Sequence, residues 1–191
     1  LDKVETFNKV FQLDDYFKIM IGNKNRVRIA DLGCGLLSTT GSTCPGVIVG
    51  LYPSDFIADR YNRLFERFGV KRVIPIEKQD MEHLTYEDGF FDIVNCINAL
   101  DHTTNPDVAI LEMVRVLKPG GYIYLRHQVN TAIVQRYNGL HQWNIEMKEG
   151  DCRFYTKSEE FWLSKVLPGF VSNRIENKRF PEHGLIVSIY K

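Results

Sequence analysis

The stretch that most constrains the fold is Val27-Arg28-Ile29-Ala30-Asp31-Leu32-Gly33-Cys34-Gly35, a largely apolar run ending in an acid and two glycines one residue apart. In an α/β protein such a run reads as the first strand of a parallel sheet entering a tight turn. Glycine at 33 and 35 lets the main chain bend sharply and approach a ligand, because no Cβ intervenes. Beyond Gly35 the chain alternates strand-like and helix-like patterns. Residues 47–52 form a second buried strand closed by Pro53, and 55–68 form an amphipathic helix stopped by Gly69. A third strand over 73–76 carries Pro75, which suits a sheet edge. The fourth strand spans 90–98, and a helix with proline at its start spans 106–117. Lys118-Pro119-Gly120-Gly121 ends that helix and leads to a fifth strand over 122–126. Residues 128–156 read as irregular, 158–167 as a helix capped by Ser158, and 171–178 and 184–190 as two terminal strands. Ahead of the first strand, residues 1–20 carry apolar positions at three- and four-residue spacing, as one or two helices lying over the sheet would. The segment 33–47 is short for a full crossover helix, so a stunted helix or single turn is expected there.

A chain of 191 residues can bury one substantial core, and one domain over 1–191 is expected. The start at Leu1 suits a processed product or a domain cut from a longer polypeptide, the second being favoured. Formal net charge is zero, so no global field draws the chain to nucleic acid or to an anionic membrane. No apolar run approaches the roughly 20 residues of a membrane span, and no secretory signal precedes the fold. Cys34, Cys44, Cys96 and Cys152 form no CxxC pair, which points to reduced thiols in a cytoplasmic setting.

With Leu117-Lys118-Pro119-Gly120-Gly121-Tyr122 added, the sequence resembles the class I S-adenosylmethionine-dependent methyltransferases. Four motifs stand in the expected order. Ala30-Asp31-Leu32-Gly33-Cys34-Gly35 matches the glycine-rich first motif, and Gln79-Asp80-Met81-Glu82-His83-Leu84 the adenine-facing segment. Phe91-Asp92-Ile93-Val94 through Asn98-Ala99-Leu100-Asp101-His102 matches the fourth strand and the loop lining the transfer site. The Leu-Lys-Pro-Gly-Gly turn is the fourth. A dehydrogenase of similar architecture would need a third glycine and a helix start near 38, which are missing. The resemblance implies a Rossmann-like, doubly wound α/β sheet of seven strands in the order 3-2-1-4-5-7-6. The last strand would be antiparallel, with helices on both faces.

It also implies S-adenosylmethionine as cofactor, held against Asp31, Gly33, Cys34, Gly35, Tyr52, Pro53, Asp80, Met81 and Asn98. Asp80 would accept from the adenine amino group beside Met81, and Asp31 would orient the loop or hold the cofactor's ammonium. Tyr52 is a departure. Family members usually carry an acid at the end of the second strand for the ribose hydroxyls, and a phenol cannot accept a bidentate pair, so cofactor binding should weaken unless Asp55 or Ser54 reaches in. At the acceptor end, His102 is expected as general base with Asp101 as its orienter, and His127 as the rival base. An Asp-His pair capping the next helix is the alternative. His141, Gln142 and Trp143 form a substrate-binding group suited to a hydroxylated acceptor, amides pairing with hydroxyls and the indole stacking on a sugar ring. Asp101, His102, His127 and His141 could hold a divalent metal, as the resemblance to metal-using sugar methyltransferases allows, but they have no diagnostic ligand spacing and no metal is assigned.

The expected activity is methyl transfer to oxygen on a small polar acceptor, such as a sugar of a glycan, beside or fused to glycosyltransferase domains. The alternative, carried by Tyr52, is a non-catalytic or weakly binding domain that serves as a scaffold. An amino-DNA methyltransferase is disfavoured, because Asn98-Ala99-Leu100-Asp101 lacks its Pro-Pro-aromatic run.

Overall fold

The computed structural model describes residues 26–36, 48–69, 74–168, 171–176 and 184–191. The expected helices over 1–20, the turn over 37–47 and Val73 lie outside the described residues. In chain order the elements are β1 (Val27–Leu32), β2 (Ile48–Asp55), α1 (Ala58–Arg67), β3 (Glu77–Lys78) and β4 (Phe91–Ile97). A 3-10 turn (Leu100–His102), α2 (Pro106–Val116), β5 (Leu117–Gln128) and α3 (Thr131–Val134) come next. The remainder is β6 (Asn144–Lys148), β7 (Asp151–Tyr155), β8 (Glu160–Trp162), α4 (Leu163–Val166), β9 (Val171–Glu176) and β10 (Gly184–Tyr190).

Seven strands make one sheet in the order β3-β2-β1-β4-β5-β10-β9. The strands β1 to β5 are parallel, and β10 runs antiparallel to both neighbours. Numbered along the chain within that sheet, the order is 3-2-1-4-5-7-6, a Rossmann-like methyltransferase fold. The central strands β1 and β4 are buried on both faces, as parallel strands covered by helices must be, which is why they read as largely apolar runs. Leu32, Phe91, Val94, Ile123 and Leu125 pack with Ile110 and Met113 of α2 in one apolar cluster, and Ile29 and Ile93 are also buried. Among the described residues, no helix is long and apolar enough to cross a membrane.

Several boundaries differ from expectation, each for a physical reason. The second strand does not stop at Pro53 but runs to Asp55. The Ser54 carbonyl accepts from Cys34 N on the β1 side, and the Asp55 carbonyl accepts from Gln79 N on the β3 side. By strand alternation the missing N–H of Pro53 faces β3, which begins only opposite Ser54, so no ladder bond is lost. The third strand is Glu77–Lys78 rather than 73–76. The Pro-Gly-Gly turn does not separate α2 from the fifth strand. It is a bulge within β5, where pairing jumps from Phe91↔Leu117 to Ile93↔Tyr122 and Gly120 takes φ +73°.

The largest correction concerns 144–162, expected to be irregular and then helical. It is an antiparallel meander, β6-β7-β8. Its first hairpin turns through Glu149 and Gly150, both at positive φ (53° and 84°), the two-residue turn that matches strand twist. The expected cap Ser158 lies instead in the β7–β8 turn, where the Thr156 hydroxyl accepts from the Ser158 and Glu159 N–H groups. Helix is confined to Leu163–Val166. Trp143, Ile145, Phe154 and Leu163 join the same apolar cluster as the main sheet, so the meander and sheet share one core.

Candidate active site

At the carboxyl ends of β1, β2 and β4 the chain opens into a cavity of about 500 Å³, where open α/β sheets bind ligands. Gly33, Cys34 and Gly35 wall one side, Asp55 another, Asp80 and Met81 a third, and Asn98, Ala99 and His102 the far end. The two glycines have different tasks. A Cβ on Gly33 would stand 2.3 Å from the Ala99 Cβ, so this glycine lets the loops after β1 and β4 touch. A Cβ on Gly35 would meet nothing within 4 Å, and its positive φ of 62° turns the backbone along the cavity wall.

Asp55 holds the position where the second strand ends. Its Oδ2 accepts from Gly35 N (3.1 Å) and its Oδ1 from Ile57 N (3.0 Å), so the carboxylate ties the glycine loop to the start of α1. Each oxygen retains a lone pair for a further donor. Asp80 is half-buried, and its Oδ1 accepts from Glu82 N (2.9 Å). Glu82 reaches across the mouth, accepting from the N–H groups of Thr104 (2.6 Å) and Asn105 (3.1 Å) and from Asn105 Nδ2 (2.8 Å).

The far end is built by a sharp exit from β4. Asn98 sits at φ 48°, and its Oδ1 accepts from Gln128 N (2.9 Å). The 3-10 turn then brings Asp101 inside, 4% exposed. The loop before β6 docks on this turn: Gln142 N and Trp143 N donate to the Asp101 carbonyl (3.1 and 3.3 Å), and Trp143 Nε1 donates to the Thr104 carbonyl (3.2 Å). His141 thereby comes within 2.7 Å of Asp101 Oδ2 through Nδ1, and the same nitrogen lies 3.1 Å from His102 Nε2. Burial lowers the pKa of His102 below the ordinary imidazole value, with Asp101 opposing and His141 assisting. A second cavity of about 420 Å³ begins at His102, Thr103 and Thr104 and runs out along Tyr137, Gln142 and the β7–β8 turn. His102 borders both cavities.

A methyltransferase-domain family model matches residues 30–125, half of the chain, which includes the glycine loop, the Asp80 segment and the His102 turn. The chain belongs to the S-adenosylmethionine-dependent methyltransferase family. S-Adenosylmethionine is the cofactor of that family. The cavity suits it: a strand-end carboxylate for ribose hydroxyls, a second acid at 80, and a glycine loop without side chains. Among curated relatives, this methyltransferase domain is 30% identical over 181 residues to the sterol 24-C-methyltransferase erg6 of Schizosaccharomyces pombe (89% of this chain, 46% of that protein). It is 26% identical to erg6 of Aspergillus fumigatus over 159 residues (80% of this chain, 42% of that protein). The chain thus spans less than half the length of these relatives. Among solved structures, an S-adenosylmethionine-dependent methyltransferase from Mesorhizobium loti shares the fold with a TM-score of 0.55 at 15% identity (91% of this chain, 95% of that one). The PH0226 protein of Pyrococcus horikoshii does so with a TM-score of 0.54, also at 15% identity (99% and 90%).

Of the residues expected to hold the cofactor, Gly33, Cys34, Gly35, Asp80, Met81 and Asn98 line the methyltransferase cavity, and Asp31, Tyr52 and Pro53 do not. Asp31 is buried behind the loop, where its Oδ1 accepts from Asn95 Nδ2 (2.7 Å). Tyr52 packs edge-on against Tyr86, Phe90 and Phe91, away from the cavity. Asp55 supplies the strand-end acid that position 52 lacks. Ending the second strand at Pro53 sets the strand end too early.

His127, the rival base, is 3% exposed and borders neither cavity, with Nδ1 at 4.0 Å from Asp101 Oδ1. Burial pulls its pKa down to about 4, against the opposing effect of Asp101. Trp143 is 6% exposed and edge-on to Phe161, so no sugar can stack on its face, although it helps to wall the second cavity. Gln142 is exposed on that cavity, with Nε2 donating to the Gly139 carbonyl (3.0 Å). The site also uses Glu82, Thr103 and Thr104: the Glu82 carboxylate accepts from Thr104 N across two loops, a contact no sequence spacing shows, while Thr103 enters only because the 3-10 turn places it on the cavity wall.

Proposed function

We propose that this domain transfers the methyl group of S-adenosylmethionine to a hydroxyl oxygen of a small polar acceptor. The observation that carries the reading is the position of His102, at the junction between the cofactor-type cavity and a second cavity. Thr103, Thr104, Tyr137, Gln142, Thr156 and Ser158 give that second cavity a hydroxyl- and amide-rich wall. When bound, S-adenosylmethionine supplies a methyl group already activated on a sulfonium. The protein's part is then to align the acceptor and to take one proton. Burial keeps the His102 imidazole neutral at physiological pH, so it has a lone pair with which to receive the hydroxyl proton. Asp101 lies 3.8 Å from His102 Nε2 and stabilises the imidazolium that forms. Asp55, Asp80 and the Gly35 backbone serve the nucleoside end and do no proton chemistry.

A carbon acceptor is the second reading, favoured by the names of the relatives: two sterol 24-C-methyltransferases and a sterol 4-C-methyltransferase, strm-1 of Caenorhabditis elegans. The polar lining of the second cavity weighs against a sterol body, whose burial requires apolar walls. The scaffold alternative loses its motive, since it rested on Tyr52 standing where Asp55 now serves. The deciding experiment supplies methyl-¹³C S-adenosylmethionine with hydroxylated acceptors and with sterols, and reads the product by NMR. Label on an oxygen of a polyol is the expected result. Label on carbon overturns the acceptor assignment. Calorimetry that detects no binding of S-adenosylhomocysteine at millimolar concentration overturns the enzyme reading altogether.

A further inference from the structure

We propose that Asp101, His102 and His141 form a binding site for one divalent transition-metal cation of the zinc kind, set beside the cavities that His102 borders. The inference rests on the proposed seating of the acceptor at His102. The three side chains come from two separate segments, yet their ligand atoms all lie within 4.8 Å of one another. The separations are 2.7 Å from Asp101 Oδ2 to His141 Nδ1, 3.1 Å from His141 Nδ1 to His102 Nε2, and 3.8 Å from Asp101 Oδ1 to His102 Nε2. Bonds of roughly 2.0–2.2 Å to a central ion set neighbouring ligand atoms about 3–3.5 Å apart, inside the 2.7–3.8 Å range of these separations when both Asp101 oxygens are counted.

His141 Nδ1 has room for one hydrogen or one lone pair, yet it faces a carboxylate and a second imidazole nitrogen at bonding distance. A hydrogen on His141 Nδ1 serves Asp101 Oδ2 and leaves the His102 Nε2 lone pair only a share of it, whereas one cation would engage all three groups. Asp101 also needs a counter-charge. Its carboxylate is buried, and among the described residues its ion-pair partners are His102, His127 and His141, with no lysine or arginine. Two imidazoles in a set of three favour a transition ion over magnesium or calcium. Both rings are about one-third exposed (29% and 31%), so an ion can reach the cluster from solvent.

Asp101, His102 and His141 would hold the ion, and a bound ion would supply Lewis-acid polarisation that eases loss of the acceptor's hydroxyl proton to solvent; His102, the proton acceptor of the metal-free site, would then serve as a ligand.

The test strips the protein with EDTA and titrates Co²⁺ by visible absorption and Zn²⁺ against a chromogenic chelator, with Mg²⁺ for comparison. Each of wild type, Asp101→Asn, His141→Gln and His83→Gln is also titrated with S-adenosylhomocysteine. One equivalent of Zn²⁺ is expected in wild type and His83→Gln, with affinity at least about tenfold weaker in Asp101→Asn and His141→Gln. S-Adenosylhomocysteine affinity should be unchanged in both, which reports an intact fold. If Asp101→Asn does not fold, His141→Gln, altered at a partly exposed ring, carries the comparison. Wild type that binds S-adenosylhomocysteine but no cation overturns the site, as does Zn²⁺ affinity unaltered in both cluster variants. Wild type that binds Zn²⁺ through the cluster but no S-adenosylhomocysteine overturns the cofactor reading and leaves the metal site standing.

Discussion

Asp55 spends both carboxylate oxygens on backbone N–H groups of the segments that wall the cavity, Gly35 on one side and Ile57 on the other. Replacing it by alanine removes the acceptor for the ribose hydroxyls and releases the glycine loop together. A charge-assisted hydrogen bond contributes about 1.5–3 kcal/mol, so Asp55→Ala should weaken S-adenosylhomocysteine binding about tenfold to hundredfold, as read by calorimetry. Tyr52→Phe should leave that affinity within about twofold, because the ring's work is packing against Tyr86, Phe90 and Phe91. The two glycines separate in the same way. Gly33→Ala forces a Cβ to within 2.3 Å of Ala99 and should lower stability by about 2 kcal/mol or more in a denaturant titration. Gly35→Ala meets no atom and should cost only the left-handed backbone strain, about 1–2 kcal/mol.

Between elements, Glu82 is the tie that closes the cavity mouth. Its carboxylate accepts from Thr104 N, Asn105 N and Asn105 Nδ2, joining the loop after β3 to the entry of α2. Glu82→Ala should speed amide hydrogen exchange at 104 and 105 while leaving the β4 amides protected, a pattern mass spectrometry or NMR can read. The sequence makes some of these elements legible and hides others. β1, β4 and α2 declare themselves, since strands buried on both faces read as largely apolar, β-branched-rich runs and α2 opens on Pro106. β2 reads short because Pro53 looks like a breaker, and only its neighbour β3 decides that the absent donor does no harm. The meander carries a strand signal that reading 128–156 as irregular passes over: Glu146, Lys148, Asp151 and Arg153 alternate with Ile145, Met147, Cys152 and Phe154 at period two, on either side of the Glu149-Gly150 turn. The approach of His141 to Asp101 and His102 cannot be read from spacing at all, since it depends on the loop before β6 docking on the 3-10 turn.

For the whole molecule, the buried His127 couples stability to pH. Its pKa is about 4 in the folded state, against about 6.5 in an unfolded chain. The unfolded state therefore binds the extra proton across that interval, and stability falls as pH drops from about 6.5 toward about 4. Equilibrium denaturation at pH 7.5 and pH 5 should show a smaller acid-induced loss in His127→Gln than in wild type, by on the order of 2 kcal/mol. An equal loss in both proteins would assign the effect to other groups. The larger architecture divides labour between two sheets. The seven-stranded sheet carries the loops of the nucleoside cavity, whereas the three-stranded meander pairs only with itself and supplies, through its β7–β8 turn, a wall of the second cavity. A change of amino acids at the tip of that meander leaves every rung of the parallel ladder in place. On the proposed reading, selection can thus retune which molecule receives the methyl group while the machinery that delivers it stays as it was.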